Sequence, residues 1–144
     1  MKKFLALIAI ISVVALQGCG KSELEKMADD ETVYTYSATL AGDVTTAGSA
    51  KMVFKDGGFK LKATFAGLPT PDGTDFYEGW ILVDGAKAVS TGKVNATEGV
   101  YVNLFNSDTD YSSYDKYILT LEPDDANPEP SDKHILEGEF ALID

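Results

Sequence analysis

The sequence predicts an all-β protein, an antiparallel β-sandwich of immunoglobulin-like type with about seven or eight strands, following a signal peptide and a tether. Three observations predict it. From Thr32 onward, apolar and polar residues alternate with period two, and no helical period appears. Turn residues punctuate these runs at short, regular intervals, at Asp56-Gly57-Gly58, at Asp84-Gly85 and along PDDANPEPSD, residues 123–132. One run, residues 76–83, is apolar on both faces, as suits a strand in the middle of a sheet.

Residues 1–18 read as an export signal. Lys2 and Lys3 form a positive start, residues 4–16 are apolar apart from Ser12, and small residues follow. The apolar run is shorter than the roughly 20 residues a bilayer-spanning helix needs. Its end, Leu16-Gln17-Gly18-Cys19, resembles the lipobox of bacterial lipoproteins. That resemblance implies a diacylglycerol on the Cys19 thiol, cleavage before Cys19 and acylation, as by palmitate, of the new amino terminus. The expected partner is then the membrane, through lipid on Cys19, and the expected location is extracytoplasmic, at the cell membrane or outer membrane. Gly20, where aspartate would favour inner-membrane retention, is compatible with the outer one. Residues 19–31 are charged and polar apart from Leu24 and Met27, and read as a lipidated tether. Residues 32–144 are the sandwich domain.

Residues 32–41 place Tyr34, Tyr36, Ala38 and Leu40 on one face of a half-buried strand, and 42–49 form a loop. The clearest hairpin follows. Ala50, Met52 and Phe54 alternate with Lys51 and Lys55, the Asp56-Gly57-Gly58 turn intervenes, and Phe59, Leu61, Ala63 and Phe65 alternate with Lys60 and Lys62. These lysines read as a solvated face that discourages edge pairing, with a binding patch as the alternative. In GLPTPDG, residues 67–73, Pro69 and Pro71 fix φ and remove two donors while Asp72-Gly73 supplies turn chemistry, which predicts an ordered loop. Residues 76–83 set Phe76, Trp80 and Leu82 against Tyr77, Ile81 and Val83, with Trp80 expected between the sheets. Residues 87–96 form a weaker strand; 99–106 form a stronger one, with Val100, Val102 and Leu104 opposite Tyr101, Asn103 and Phe105. The acidic loop SDTDYSSYD, a strand at 116–122, the proline-rich turn and a single closing strand over 133–143 complete the chain.

A length of 144 residues suits one domain. The formal charge is -11, from 23 Asp+Glu against 12 Lys+Arg, which argues against nucleic acid. Loss of Lys2 and Lys3 with the signal would take -11 to -13. Cys19 is the single cysteine, so no intramolecular disulfide forms. His134 is the only histidine and lies within a strand pattern, so no catalytic residue and no enzyme activity are expected. No cofactor and no metal are expected either. Soft-metal ligands are lacking, and Asp108, Asp110 and Asp115 in one loop, like Asp124, Asp125, Glu129 and Asp132 in another, do not follow calcium-loop spacing. Glu78 on an apolar strand needs a partner, for which Lys60 or Lys62 is the candidate. The candidate binding surface comprises two loops, one with Pro69, Pro71 and Asp72, the other with Asp108, Asp110 and Asp115, for an envelope protein or a small ligand.

Three segments in order carry a family resemblance: Gly67-Leu68-Pro69-Thr70-Pro71, then Tyr77-Glu78-Gly79-Trp80, then Thr120-Leu121-Glu122-Pro123 with Asn127-Pro128-Glu129-Pro130. Over residues 50–142 the chain resembles the extracytoplasmic domain of anti-sigma-K factor proteins. The resemblance implies a β-sandwich and an envelope-side binding or sensing module. Family members carry a cytoplasmic sigma-binding domain and a membrane-spanning helix before this module, and neither is legible here, so sigma sequestration by this chain alone is not expected. The alternative is an envelope hydrolase or carbohydrate-active enzyme on a sandwich scaffold.

Replacing Cys19 by Ser is expected to abolish incorporation of a labelled fatty acid and to move the mature chain from the membrane fraction to the soluble one. Undiminished labelling of Cys19→Ser would refute the anchor. The stake is the burial of acyl chains at about 0.8 kcal/mol per CH₂.

Overall fold

The computed structural model describes residues 32–42, 46–97 and 99–144. The signal, the tether and Cys19 lie outside the described residues. Ten strands follow in order: β1 (Tyr36–Leu40), β2 (Ala47–Lys55), β3 (Gly58–Ala66), β4 (Phe76–Leu82), β5 (Val89–Lys93), β6 (Asn95–Thr97), β7 (Val100–Ser107), β8 (Lys116–Glu122), β9 (His134–Glu139) and β10 (Ala141–Leu142). They form a six-stranded sheet, β10-β1-β2-β3-β7-β6, and a four-stranded sheet, β5-β4-β8-β9, antiparallel throughout. The four strands β2-β3-β7-β6 set against β5-β4-β8-β9 reproduce the Greek-key order of immunoglobulin domains. β1 and β10 extend the first sheet beyond that plan.

Local chemistry accounts for the elements. The β2–β3 hairpin turns on two residues, Asp56 at φ 53° and Gly57 at φ 77°, the positive pair a two-residue hairpin loop requires. Register then runs from Lys55 opposite Gly58 to Ala47 opposite Ala66, so every apolar residue of the alternation lands on one face. Met52, Phe59, Leu61 and Phe65 meet Tyr77, Ile81, Tyr117 and Leu119 between the sheets.

The ten strands exceed the predicted number because two predicted strands each divide between sheets. Residues 87–96 become β5 in the four-stranded sheet and β6 in the six-stranded one. The break follows Gly92, at φ 92°, beside an irregularity at Gly79/Trp80, and the Val94 amide donates to the Tyr77 carbonyl at 2.8 Å. Residues 133–143 likewise divide at Phe140, whose amide donates to the Asp115 carbonyl at 2.8 Å before β10 pairs with β1. Period two continues through both crossings, so alternation alone does not reveal them.

Trp80 corrects a second expectation. It is buried, at 3% exposure, yet it stands outside the inter-sheet core. Tyr77 and Ile81 of β4 face the six-stranded sheet, so by alternation Phe76, Glu78 and Trp80 face outward. Space decides this parity. Gly79 is the inward residue between Tyr77 and Ile81, and a Cβ there would lie 2.1 Å from Tyr117 Oη, 2.5 Å from Thr91 Oγ1 and 2.7 Å from Asn103 Oδ1. Those three side chains form a buried polar contact across the sheets. Thr91 Oγ1 and Tyr117 Oη donate to Asn103 Oδ1 at 2.7 and 3.1 Å, and Asn103 Nδ2 donates to the carbonyls of Thr91 and Gly92, both at 3.0 Å. Burial pushes the Tyr117 phenol well above its ordinary pKa.

Gly79→Ala is expected to lower the unfolding free energy by about 3 kcal/mol, combining overpacking with disruption of buried hydrogen bonds. Denaturant unfolding measures it, and Tyr117→Phe in the same chain should recover part of the loss. An unaltered midpoint for Gly79→Ala would show that this space is not needed.

Candidate functional site

The predicted loops lie at opposite ends of the sandwich. On β3, Phe65 pairs with Tyr101 and Phe59 with Ser107. The loop after Ala66 therefore leaves one end, and the loop after Ser107 leaves the other, roughly 20 Å away at the rise of a β-strand. Pro69, Pro71 and Asp72 consequently share no surface with Asp108, Asp110 and Asp115.

The Asp108 loop closes the core. Tyr111 packs edge-on against Phe59 and Tyr114 edge-on against Tyr111, with ring centroids 5.4 and 5.3 Å apart. The Ser112 amide donates to Asp110 Oδ1 at 2.8 Å, and hydrogen bonds from Ser112 hold the Asp110 carboxyl below its usual pKa. The Asp115 backbone is taken up by Leu82 and Phe140. Among the described residues, no group of three His, Cys, Asp or Glu side chains could hold a metal ion.

The Pro69 end is built differently. It gathers loop 67–75, the link from β5 to β6 at Val94 and the origin of loop 123–133, because Phe76 pairs with Glu122 and Val94 bonds to Tyr77. Thr46, after the β1–β2 connection, reaches the Gly67 carbonyl at 3.4 Å. Two sets of hydrogen bonds fasten these segments, one at loop 67–75 and one at loop 123–133. Tyr77 Oη donates to the Pro69 carbonyl at 3.0 Å, and burial raises the Tyr77 phenol pKa, as does Tyr101 beside it. Trp80 Nε1 donates to Thr120 Oγ1 at 2.9 Å, and the Thr120 hydroxyl donates in turn to Glu122 Oε1. The same carboxylate oxygen accepts the Ser131 amide at 2.9 Å, while Ser131 Oγ donates to the Leu121 carbonyl at 2.8 Å. Glu122 is only 4% exposed, so these bonds carry its desolvation.

Loop 123–133 does more than cap this end. Leu82 opposite Lys116 marks the far end of the β4–β8 pair, and Lys87 lies beyond it, in the turn leading to β5. Yet Lys87 Nζ reaches Glu129 Oε1 at 2.8 Å. The loop leaves β8 at Glu122, so it must fold back across the outer face of β8 and β4 to bring Glu129 there. It thus passes over the side of the sheet that carries Trp80 and Ile118. An exposed ion pair of this kind is worth about 0–1 kcal/mol, so it marks the loop's path more than it holds it. Ser131 on Glu122 is the stronger fastening, since it is part-buried and charge-assisted.

Glu78 also departs from expectation. It accepts from the Ser90 hydroxyl, on the neighbouring strand, whereas Lys60 and Lys62 belong to the other sheet. His134 is a rim residue, exposed, with Nδ1 3.7 Å from Glu137 Oε2. Glu122 and Ser131 are the site residues that strand patterning missed. Glu122 continues the parity of Ile118 and Thr120, and that placement on an otherwise apolar strand was the available signal.

Comparison with known proteins bears on the same residues. No curated protein matches the chain. The family model described as anti-sigma-K factor rskA, C-terminal, matches residues 4–135, starting in the apolar amino-terminal run and ending in β9. Residues 67–71, 77–80 and 120–123, which carried the resemblance, contain the residues that fasten two loops, Tyr77 on Pro69 for one and Trp80, Thr120 and Glu122 on Ser131 for the other. With most of its length matched, the chain belongs to the anti-sigma-K factor rskA C-terminal family.

Proposed function

We propose that this protein is a lipid-anchored, non-catalytic module of the bacterial cell envelope, which binds or senses a partner with the Pro69 end of its sandwich. The observation that carries the reading is the convergence of the family-type segments on loops 67–75 and 123–133. Tyr77, Trp80, Thr120 and Glu122 are all buried, and what they hold in place is the backbone of those two loops. Loops positioned by a rigid scaffold are the usual carriers of recognition. Lipid on Cys19 would serve where a spanning helix otherwise holds such a module; among the described residues, no helix is long and apolar enough to cross a membrane.

Chain direction supports the same end. β1 runs from Tyr36, opposite Met52, to Leu40, opposite Gly48. The first described residues therefore lie toward the Asp108 end, with Thr32 beside Lys60, and the Pro69 end is the one away from them. The enzyme alternative needs convergent titratable groups in an open cleft. Its best candidates are already engaged, Glu78 with Ser90 and Glu122 with Thr120 and Ser131.

A photo-crosslinking residue at Thr70 is expected to give a discrete adduct in intact cells, and the same residue at Thr109, at the opposite end, is expected to give none. Equal adducts from both positions would count against an end-specific contact. Glu122→Ala is expected to cost about 1–3 kcal/mol of stability, since it strands buried partners. It should also speed hydrogen exchange of the Ser131 amide while leaving β2 and β3 protected. Unchanged exchange at Ser131 would mean that Glu122 does not fasten the loop.

A further inference from the structure

Charge is segregated between the two sheets. The six strands of the larger sheet contain no Asp or Glu, although the chain has 23 of them, and their only charged side chains are Lys51, Lys55, Lys60 and Lys62. The alternation that buries Met52, Phe59, Leu61 and Ala63 turns all four lysines to the outer face. Apolar side chains stand beside them. Leu104, paired with Lys62, is 43% exposed, and at the β1–β10 edge Val33 is 81% exposed and Ile143 45%. The Ile143 amide donates to the Thr35 carbonyl at 2.9 Å, which sets Ile143 beside the start of β1. Lys60 Nζ donates to Thr32 Oγ1 at 3.5 Å, so the first described residue touches this face.

We propose that this lysine face lies on the surface of the bilayer, with Lys51, Lys55, Lys60 and Lys62 toward anionic headgroups and Val33, Leu104 and Ile143 in the interfacial layer. Basic residues interleaved with apolar ones are the chemistry of a peripheral membrane surface. The acidic remainder of the molecule strengthens the preference, because repulsion of the opposite side from anionic lipid turns the lysine side inward. A second copy fits the face less well. A two-fold contact would set lysines against lysines, and β10, with two residues, is too short an edge for strand pairing. The orientation rests on lipidation of Cys19 only for its tether. It leaves the four-stranded sheet and loop 123–133 turned away from the lipid.

The test uses the lipidated protein in vesicles, with an added cysteine at Leu104 or at Asp125 carrying a fluorophore. A nitroxide headgroup lipid is the quencher. In vesicles containing phosphatidylglycerol, the Leu104→Cys label is expected to be quenched at least about threefold more than the Asp125→Cys label, each lysine adding attraction near an anionic surface. Replacing Lys51, Lys55, Lys60 and Lys62 by Gln should bring the two labels to parity without moving the unfolding midpoint, since all four side chains face outward. Equal quenching before that replacement, or a difference that survives it, would overturn the proposal. So would inorganic polyphosphate binding the unlipidated chain as tightly as vesicles do, which would assign the face to a soluble polyanion. The mature chain, residues 19–144, with Cys19→Ser separates the two readings by co-sedimentation. It should still favour vesicles with phosphatidylglycerol over phosphatidylcholine alone by about tenfold, and lose that preference in the Gln variant. A failed anchor leaves this preference intact, whereas a failed lysine face removes it.

Discussion

Asn103 sits where strands of both sheets meet, and the packing around it leaves almost no alternative. Its side-chain amide takes up buried Thr91 and Tyr117 and the half-buried Gly92 carbonyl from the opposing sheet, and position 79 can hold nothing larger than glycine while it does so. Apolar packing between sheets tolerates sliding by a residue pair, because one alternating face resembles another. A buried amide does not, since a displaced hydrogen bond leaves polar atoms unsatisfied at about 1–3 kcal/mol each. In immunoglobulin domains a disulfide commonly joins the sheets. Cys19, the only cysteine here, precedes the sandwich, and the Asn103 cluster supplies the specific cross-sheet link.

Once β4 is held with Gly79 inward, its neighbours' directions follow. Trp80 must point outward, where an indole as large as this cannot be left bare on a small domain without exposing apolar surface. Loop 123–133 answers that need by returning across the outer face, and the Trp80 N–H finds Thr120, which leads to Glu122 and back to the loop through Ser131. The same inward parity of β4 places Tyr77 where its hydroxyl reaches the Pro69 carbonyl. The two loops at this end are thus fixed by one strand's choice of face. That is why residues resembling a family's motif are internal while the surface they create is made of loop backbone and proline.

Strand existence was legible from the sequence because most of the sandwich is half-buried, and period two is what a half-buried strand writes. The hairpin turn was legible too, since Asp-Gly is chemistry for positive φ. The crossings at Val94 and Phe140 were not, because a strand that changes sheets keeps its alternation and only its hydrogen-bond partners differ. The outward Trp80 was missed for a related reason. An apolar residue on either face of a central strand satisfies the same pattern, and only the clash at Gly79, which depends on Thr91, Asn103 and Tyr117, distinguishes them. Loops 67–73 and 107–115 looked alike as candidate contacts, both polar and both punctuated. Their separation to opposite ends is a matter of register between β3 and β7, and the second loop's tyrosines turned out to be packing residues.

The sheet edges narrow how a partner can be met. β10 has two residues and β6 three, while β5 pairs with β4 through a register broken at Gly79/Trp80. β9 is longer, yet Ala41 exchanges backbone hydrogen bonds with Glu137 at 2.9 and 3.0 Å across its outer side. A Cβ on the following Gly42 would fall 2.0 Å from the Ile135 carbonyl, so the chain runs close against that edge. Short, irregular or covered edges resist strand addition and aggregation. Recognition by an added strand, which depends on a long open edge, therefore has little to work with. What the fold offers instead is the pair of loops at the Pro69 end and the outer faces of its sheets, one of them partly roofed by loop 123–133 and the other lined with lysine.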